Sequence, residues 1–314
     1  MRIFIELPTW LGDAIMANVA INNLFKKFPD ASFTIFGSYV ATEIYKPHAQ
    51  VEKVLLDSSK QKNNRYIWLY KEAKELGKFD LAFSFRHSFS SKFLIFFINS
   101  AKKYIYRRLS KEPMHQVKRY NDFVGHCLGC DFSLDDLHLP FAKKVSEKPL
   151  LGLNPGATYG NAKRWYPSEF AKVAIALADK YDILIFGGPT ETEIAGDIAD
   201  VLKKNGVKNF TNLSGKTTIA LLCEHISSLS LFITNDSGPM HIAAALNIPL
   251  IALFGSTSDT VTGPYKTGLV IHKHVECSPC YKRVCPIDFR CMKRISALEV
   301  HEEVKRMLKV KRVQ

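Results

Sequence analysis

One stretch restricts the fold more than any other. The short apolar run at 231–233 is followed by Thr234-Asn-Asp-Ser-Gly-Pro-Met-His241, and the chain then continues through an apolar segment to Phe254. A brief apolar run closed by polar residues reads as a buried parallel strand. Gly238 and Pro239 suit the first turn of a helix, with Asp236 or Ser237 as its N-cap. Residues 241–247 continue that helix, and 249–254 form the next strand, ended by Gly255-Ser-Thr-Ser258. The order strand, turn, helix, strand belongs to an open α/β sheet, where ligands sit at the carboxyl ends of the strands. Free N–H groups at the helix start favour an anion, so the turn is expected to hold the phosphate end of a nucleotide-like ligand.

The rest of the chain repeats this alternation. In the first half, strands are expected at 2–7, 32–36, 51–56, 80–85 and 103–106, with helices at 14–28, 66–76, 88–98 and 114–128 and a short helix before 51–56. Residues 131–149 lack a helical period, end in Lys148-Pro149 and read as a linker. Strands then follow at 150–153, 182–186 and 209–213, with helices at 167–180, 191–204 and 217–228. Such alternation implies parallel sheets covered by helices on both faces. Two units, 1–148 and 149–314, are expected, with a ligand shared in a cleft between them.

Charge bears on the partner. The 314 residues carry a formal net charge of +13. Residues 1–148 hold 23 Lys+Arg against 15 Asp+Glu, and within them 86–119 holds nine basic residues against one acid. Arg86, Arg107, Arg108, Lys118 and Arg119 belong to that run. A local basic patch favours an anionic partner, although a solvated face also fits.

No secretory signal is visible after Met1, and the longest apolar run, 93–98, is far short of a membrane span. The protein is therefore expected in the cytosol. Basic and aromatic residues interleave from Arg86 to Arg108, which leaves a membrane-surface role open, but a core helix followed by a strand is the favoured reading of this region. Cys277, Cys280, Cys285 and Cys291 have the count of a structural zinc site without its usual paired spacing; metal, reduced thiols and a redox pair all remain open. Basic residues between them make a nucleic-acid knuckle a formal alternative, but stacking aromatics are sparse.

Several residues suit transfer chemistry. Asp13 follows Gly12 at the end of the first strand; it reads either as an ordinary capping or first-turn acid or as a general base. The loop Asn154-Pro-Gly-Ala-Thr-Tyr-Gly-Asn-Ala-Lys-Arg-Trp165 is not a P-loop, but its backbone, Thr158 and Lys163 together suit a diphosphate. Gly187-Gly-Pro-Thr-Glu191 permits close approach of a ligand, and Glu191 suits sugar or ribose hydroxyls. His241 lies one turn into its helix, facing either ligand or core. No Asp-x-Asp site for a divalent ion is evident, so phosphate charge falls to Lys163 and backbone N–H groups.

Together with Leu7-Pro-Thr-Trp-Leu-Gly-Asp13 and Glu276-Cys-Ser-Pro-Cys-Tyr-Lys-Arg-Val-Cys-Pro286, these strings resemble the ADP-heptose:lipopolysaccharide heptosyltransferases, glycosyltransferase family 9. The resemblance covers nearly the whole chain, and the cysteine-rich string points to the heptosyltransferase II branch. It implies a GT-B fold, two Rossmann-like domains facing across a cleft, with the acceptor in 1–148 and ADP-heptose in 149–314. The terminal helix, 297–308, would pack back across the first domain. It implies inverting, metal-independent transfer of L-glycero-D-manno-heptose from ADP-heptose to heptosyl-Kdo2-lipid A without a cofactor; another member of the family, adding the first or a later heptose, or a non-catalytic nucleotide-sugar or glycolipid binder are the alternatives. By position, Asp13 matches the catalytic base, and Thr158 and Lys163 match donor-phosphate ligands. Glu191 matches a donor-site acid, and Asp236, Ser237, Gly238 and His241 match the donor turn. Tyr159 stands where some members carry a second Thr. The basic patch suits an acceptor bearing Kdo carboxylates and lipid A phosphates. Peripheral contact with the cytosolic face of the inner membrane is then expected, and nucleic acid is not.

Overall fold

The computed structural model describes residues 1–141, 144 and 146–310. The chain divides into two compact units, Met1–Pro140 and Phe141–Gln314. Residues 142, 143 and 145 of the expected linker lie outside the described residues.

The first unit contains β1 (Arg2–Glu6), α1 (Leu11–Met16), α2 (Asn18–Lys27), β2 (Ser32–Gly37), α3 (Tyr39–Thr42), β3 (Val51–Leu56), α4 (Arg65–Glu75), β4 (Lys78–Ser84), α5 (Phe89–Phe97), β5 (Asn99–Ile105) and α6 (Gln116–Leu128). Its sheet is parallel throughout, in the order β3-β2-β1-β4-β5. Ile3, Phe4 and Ile5 are fully buried, as a central parallel strand with helices on both faces requires. On one face Phe4 packs with Phe36, Phe79, Leu94 and Ile95.

Two differences from the sequence pattern have physical causes. The expected helix 14–28 starts earlier, at Leu11, and is divided at Ala17, so Asp13 lies within a first helical turn. The strand expected at 103–106 runs over Asn99–Ile105, because the backbone of this edge strand pairs with β4 from Lys78↔Asn99 onward. Its polar residues carry no apolar signal, and the ladder overrides their weak strand propensity.

The second unit contains β6 (Leu150–Asn154), α7 (Pro167–Leu177), β7 (Asp182–Ile185), α8 (Thr192–Lys204), β8 (Phe210–Asn212), α9 (Ile219–Ser227), β9 (Leu231–Asn235), α10 (Gly238–Ala245), β10 (Leu250–Phe254), α11 (Asp259–Thr262), β11 (Leu269–His272), α12 (Arg290–Lys293) and α13 (Ala297–Val310). Six parallel strands lie in the order β11-β10-β9-β6-β7-β8. β9 and β10 are buried at every position, which explains their unbroken apolar runs. Trp165 is fully buried in the core, its indole N–H donating to the Ile295 carbonyl at 3.0 Å.

In the terminal helix, Val300 and Val304 are buried in the second unit's core, and α13 packs against α7. Apolar residues recurring at helical spacing need a face to cover, and α7 supplies one within the same unit.

Candidate active site

Strands β9, β6 and β7 are neighbours and run parallel, so the loops after Asn235, Asn154 and Ile185 emerge at one end of the sheet. Two asparagines fasten these loops. Asn235 is fully buried; its carboxamide accepts from the Trp165 N–H at 3.0 Å and donates to the Pro155 carbonyl at 2.8 Å. The Asn154 amide donates to Ser237 Oγ at 2.9 Å and to Thr234 Oγ1 at 3.2 Å. Neither was singled out from the sequence, although an asparagine closing each of two apolar strands is a legible signal of such cross-linking.

Lys163 and Asp236 meet across these loops. Lys163 Nζ lies 2.5 Å from Asp236 Oδ2, and the side chains are 12 % and 4 % exposed. The same carboxylate oxygen accepts from Thr257 Oγ1 at 2.5 Å. A buried ion pair is tolerable only with such additional partners, since both charges lose their water. Asp236 immediately precedes Ser237, the N-cap of α10, which starts at Gly238 with Pro239 in its first turn. Ser237 makes no side-chain cap bond to the helix. The pair thus places an ammonium beside a helix N-terminus, where anions are favoured. His241, one turn in, is only 3 % exposed.

Thr158 and Glu191 form a second contact of the same loops. Glu191 is 6 % exposed, and its carboxylate accepts from the Gly188 N–H at 2.8 Å and from Thr158 Oγ1 at 3.5 Å. It also explains Gly156: a Cβ there would lie 2.2 Å from Glu191 Oε2. Tyr159 does not offer its hydroxyl to a ligand. The hydroxyl donates to the Tyr281 carbonyl at 2.6 Å, while Lys163 Nζ lies 4.8 Å from the ring centroid.

In the first unit, Trp10 is the N-cap of α1 and Asp13 is a first-turn acid, so the N-cap reading of Asp13 does not hold. Tyr120 on α6 is close by: burial and then the Asp13 charge raise its phenol well above the ordinary value.

The basic run is not one surface. The Arg86 side chain, expected on an acceptor-facing patch, is 10 % exposed, with Nη1 3.4 Å from Glu6 and 3.1 Å from Asp57, and Nε donating to the Leu7 carbonyl at 2.6 Å. Its partners sit at the ends of β1 and β3, so the guanidinium ties strand ends together inside the unit. Glu6 is buried, which raises its carboxyl against the pull of Arg86, Ser84 and Ser91. Burial also pushes Asp57 upward, but hydrogen bonds from Ser59 and Arg86 outweigh it and hold it below the ordinary range. Arg119 is likewise 8 % exposed, because α6 turns it inward toward the Glu112 carbonyl at 3.4 Å. Arg107 and Arg108 are exposed, Arg107 contacting His126 at 3.0 Å, and Lys118 pairs with Asp122 at 2.9 Å on the surface of α6.

The sequence model of Glycosyltransferase family 9 (heptosyltransferase) matches residues 70–289. Over 98 % of this chain and 99 % of its own length, lipooligosaccharide heptosyltransferase 2 of Campylobacter jejuni subsp. jejuni serotype O:2 is 40 % identical. The chain belongs to glycosyltransferase family 9. The lipooligosaccharide heptosyltransferase 2 of Haemophilus ducreyi is 28 % identical over 88 % of this family 9 glycosyltransferase and 89 % of its own length. Among solved structures, Escherichia coli ADP-heptose LPS heptosyltransferase II superposes with a TM-score of 0.82 at 24 % identity, covering 99 % of this chain and 100 % of that one. Escherichia coli heptosyltransferase WaaC with ADP gives 0.79 at 16 % identity, covering 98 % and 99 %. These likenesses establish the GT-B fold.

In this glycosyltransferase the cysteine-rich segment braces the loops just described. The Ala162 N–H donates to the Arg283 carbonyl at 3.1 Å, and the Tyr281 N–H to the Ser256 carbonyl at 2.7 Å. Gly160 is needed at this junction, since a Cβ would come 2.2 Å from the Arg283 carbonyl oxygen. Cys277, Cys280, Cys285 and Cys291 are free thiols. Among the described residues, the group whose ligand atoms lie close enough to hold an ion is Asp259, His272 and His274, all within 4.8 Å. His272 already uses both ring nitrogens, Nδ1 to Asp259 Oδ1 at 2.9 Å and Nε2 to Ser278 Oγ at 2.7 Å. The Ser278 hydroxyl also reaches the Gly255 carbonyl, so the group clamps the cysteine segment onto the turn after β10.

Proposed function

We propose that this enzyme transfers L-glycero-D-manno-heptose from ADP-heptose to heptosyl-Kdo2-lipid A, with inversion and without a metal ion, in the lipooligosaccharide or lipopolysaccharide inner core. The observation that carries the donor side is Lys163, an ammonium held by Asp236 at the N-terminus of α10. A departing diphosphate needs positive charge that is already in place, and Lys163 with the first N–H groups of α10 supplies it. Thr158, Ser237 and Gly238 complete the phosphate contacts, Glu191 reads the nucleoside or its ribose, and His241 supports the turn from within.

Asp13 is the general base in this reading. It takes the proton from an acceptor hydroxyl as oxygen attacks the anomeric carbon, while the bond to ADP breaks on the opposite face. A first-turn carboxylate is a weak base, so its contribution comes from position against a hydroxyl that acidifies in the transition state. The full-length similarity to lipooligosaccharide heptosyltransferase 2 supports this acceptor class. Arg107, Arg108 and Lys118 are the exposed cations proposed to meet its anionic groups; Arg86 and Arg119 support the unit from inside.

The acceptor is a glycolipid, and among the described residues no helix is long and apolar enough to cross a membrane. The reading therefore includes peripheral contact with the cytosolic face of the inner membrane. The test is ADP release from ADP-heptose in the presence of chelator, with acceptors of increasing core length and mass detection of product. Release should require the mono-heptosylated acceptor and resist chelation. Preference for a shorter or longer core would assign another heptosyltransferase step, and release that ignores acceptor would overturn the transfer.

A further inference from the structure

We propose that the outer face of α4 and α5 is the surface by which the first unit docks on an anionic lipid membrane. The inference rests on the reading of the acceptor as a glycolipid and adds where the protein touches the bilayer. In the sequence, α5 reads as a core helix, and half of it is one: Ser90, Ser91, Leu94 and Ile95 are buried. The other half is not. Phe89 and Phe96 are each 72 % exposed. At about 100° per residue, Phe89, Lys92, Phe93, Phe96 and Phe97 share one arc of the helix. An apolar helix face left in water marks an interaction surface.

Helix α4 extends the patch. Tyr66, Ile67 and Tyr70 are 39 %, 54 % and 41 % exposed. Tyr66 contacts Phe89 and Phe93 edge-on at 5.7 and 5.1 Å, and Tyr70 contacts Phe97 at 4.9 Å. The aromatic groups thus form a continuous ridge along two neighbouring helices.

Charge decides the occupant. Lys92 lies within the ridge and α5 contains no acid. Lys103 Nζ donates to the Phe96 carbonyl at 2.7 Å, and Lys74 Nζ lies 5.7 Å from the Tyr70 ring. The acids of α4, Glu72 and Glu75, fall about 120° or more around the helix from Tyr66. Lysine is depleted at protein–protein interfaces, whereas aromatic rings with lysine stems suit the headgroup region of an anionic bilayer. Each lysine near such a surface strengthens attachment, and salt weakens it.

The test uses the full chain with vesicles of phosphatidylcholine alone or mixed with phosphatidylglycerol. The unmodified protein should sediment with the mixed vesicles, weakly with the neutral ones, and be released by salt. Phe89→Ser/Phe96→Ser and, separately, Lys74→Glu/Lys92→Glu should each lower partitioning about tenfold or more. Both should transfer heptose to a delipidated acceptor as the unmodified enzyme does, and lose rate only on acceptor embedded in mixed vesicles. Variants that partition unchanged would overturn this surface while leaving the membrane reading intact. An unmodified protein that ignores anionic vesicles would overturn the membrane reading itself, with transfer to the delipidated acceptor still reporting the activity. A dimer dispersed by the phenylalanine substitutions without loss of vesicle binding would make the ridge a self-interface and overturn the proposal.

Discussion

Lys163 and Asp236 are joined through a single carboxylate oxygen that also accepts the Thr257 hydroxyl, so one atom holds together the loops after β6, β9 and β10. Removing either charge leaves the other buried and unpaired. Lys163→Met and Asp236→Asn are each expected to destabilise the protein by about 3 kcal/mol, and the double substitution by less than their sum. Urea midpoints of the four proteins give the coupling directly. Lys163→Met should also weaken ADP binding about tenfold or more in calorimetry; unchanged affinity would leave the ammonium a purely structural partner.

Gly156 makes a narrower prediction. A Cβ at this position would overlap both Glu191 carboxylate oxygens, at 2.2 and 2.6 Å. Glu191 is held by the Gly188 N–H, so Gly156→Ala should displace a buried carboxylate and cost about 1–3 kcal/mol. If Glu191 reads the nucleoside, ADP affinity falls with it. Restoring space through Gly156→Ala with Glu191→Asp should recover part of the stability, which thermal unfolding measures.

Arg86 and Arg108 came from the same basic run but should behave oppositely. Arg86 is enclosed with Glu6 and Asp57, so Arg86→Ala is expected to cost about 3–5 kcal/mol by leaving buried carboxylates without their cation. Arg108 is exposed, so Arg108→Ala should leave stability within about 0.5 kcal/mol and raise KM for the anionic acceptor. Chemical unfolding and acceptor titration separate the two.

The same network sets an acid-side dependence. The folded-state pKa of Asp57 is depressed, so its contribution is present above the ordinary carboxylate value of about 3.9 and is lost as pH falls through the folded value. Glu6 acts in the opposite sense: its pKa is raised, so ionising it costs stability as pH climbs from about 4.3 through its folded value. Comparison with Asp57→Asn reads the first effect on the acid side, since the Asp57 charge also adds to the rise of Glu6. The gap in urea midpoint between the two proteins should close as pH falls below about 4. A gap independent of pH would mean that the Asp57 charge is not what holds Arg86.

Much of the fold was legible because buried parallel strands write themselves as apolar runs. Strand β3 was expected over its observed range, and β9 and β10 within a residue or two. Only the end of strand β5 is apolar, so the pattern shows less than its full length, and strand β11 and the short helices α11 and α12 have too few residues for a period to show. The residues proposed for the donor side stand out in the sequence as small and polar clusters after strands. What could not be read was direction. Nothing in a run of nine cations tells which of them, like Arg86 and Arg119, turn inward toward partners distant in sequence. Nor does an apolar helix show that half of its rings face water, as Phe89 and Phe96 do.

Asp13 carries the last prediction. It lies in the first turn of α1, behind the N-cap Trp10, where the helix dipole stabilises its charge. Two roles give different outcomes. As a favourable first-turn charge alone, its loss would cost about 0.3–1 kcal/mol of stability and leave turnover nearly intact. As the general base, Asp13→Ala should lower kcat by about 10²–10⁴ with ADP affinity unchanged, because the proton leaves the acceptor and not the donor. Asp13→Asn keeps the size and loses the base, so it should be equally slow. Asp13→Glu keeps the carboxylate but moves it by one methylene, and partial activity is expected, since positioning and not basicity carries the effect. Steady-state kinetics on the three variants, with ADP titrations beside them, decide between the roles: near-normal kcat in Asp13→Asn would leave the carboxylate only its place in the helix dipole.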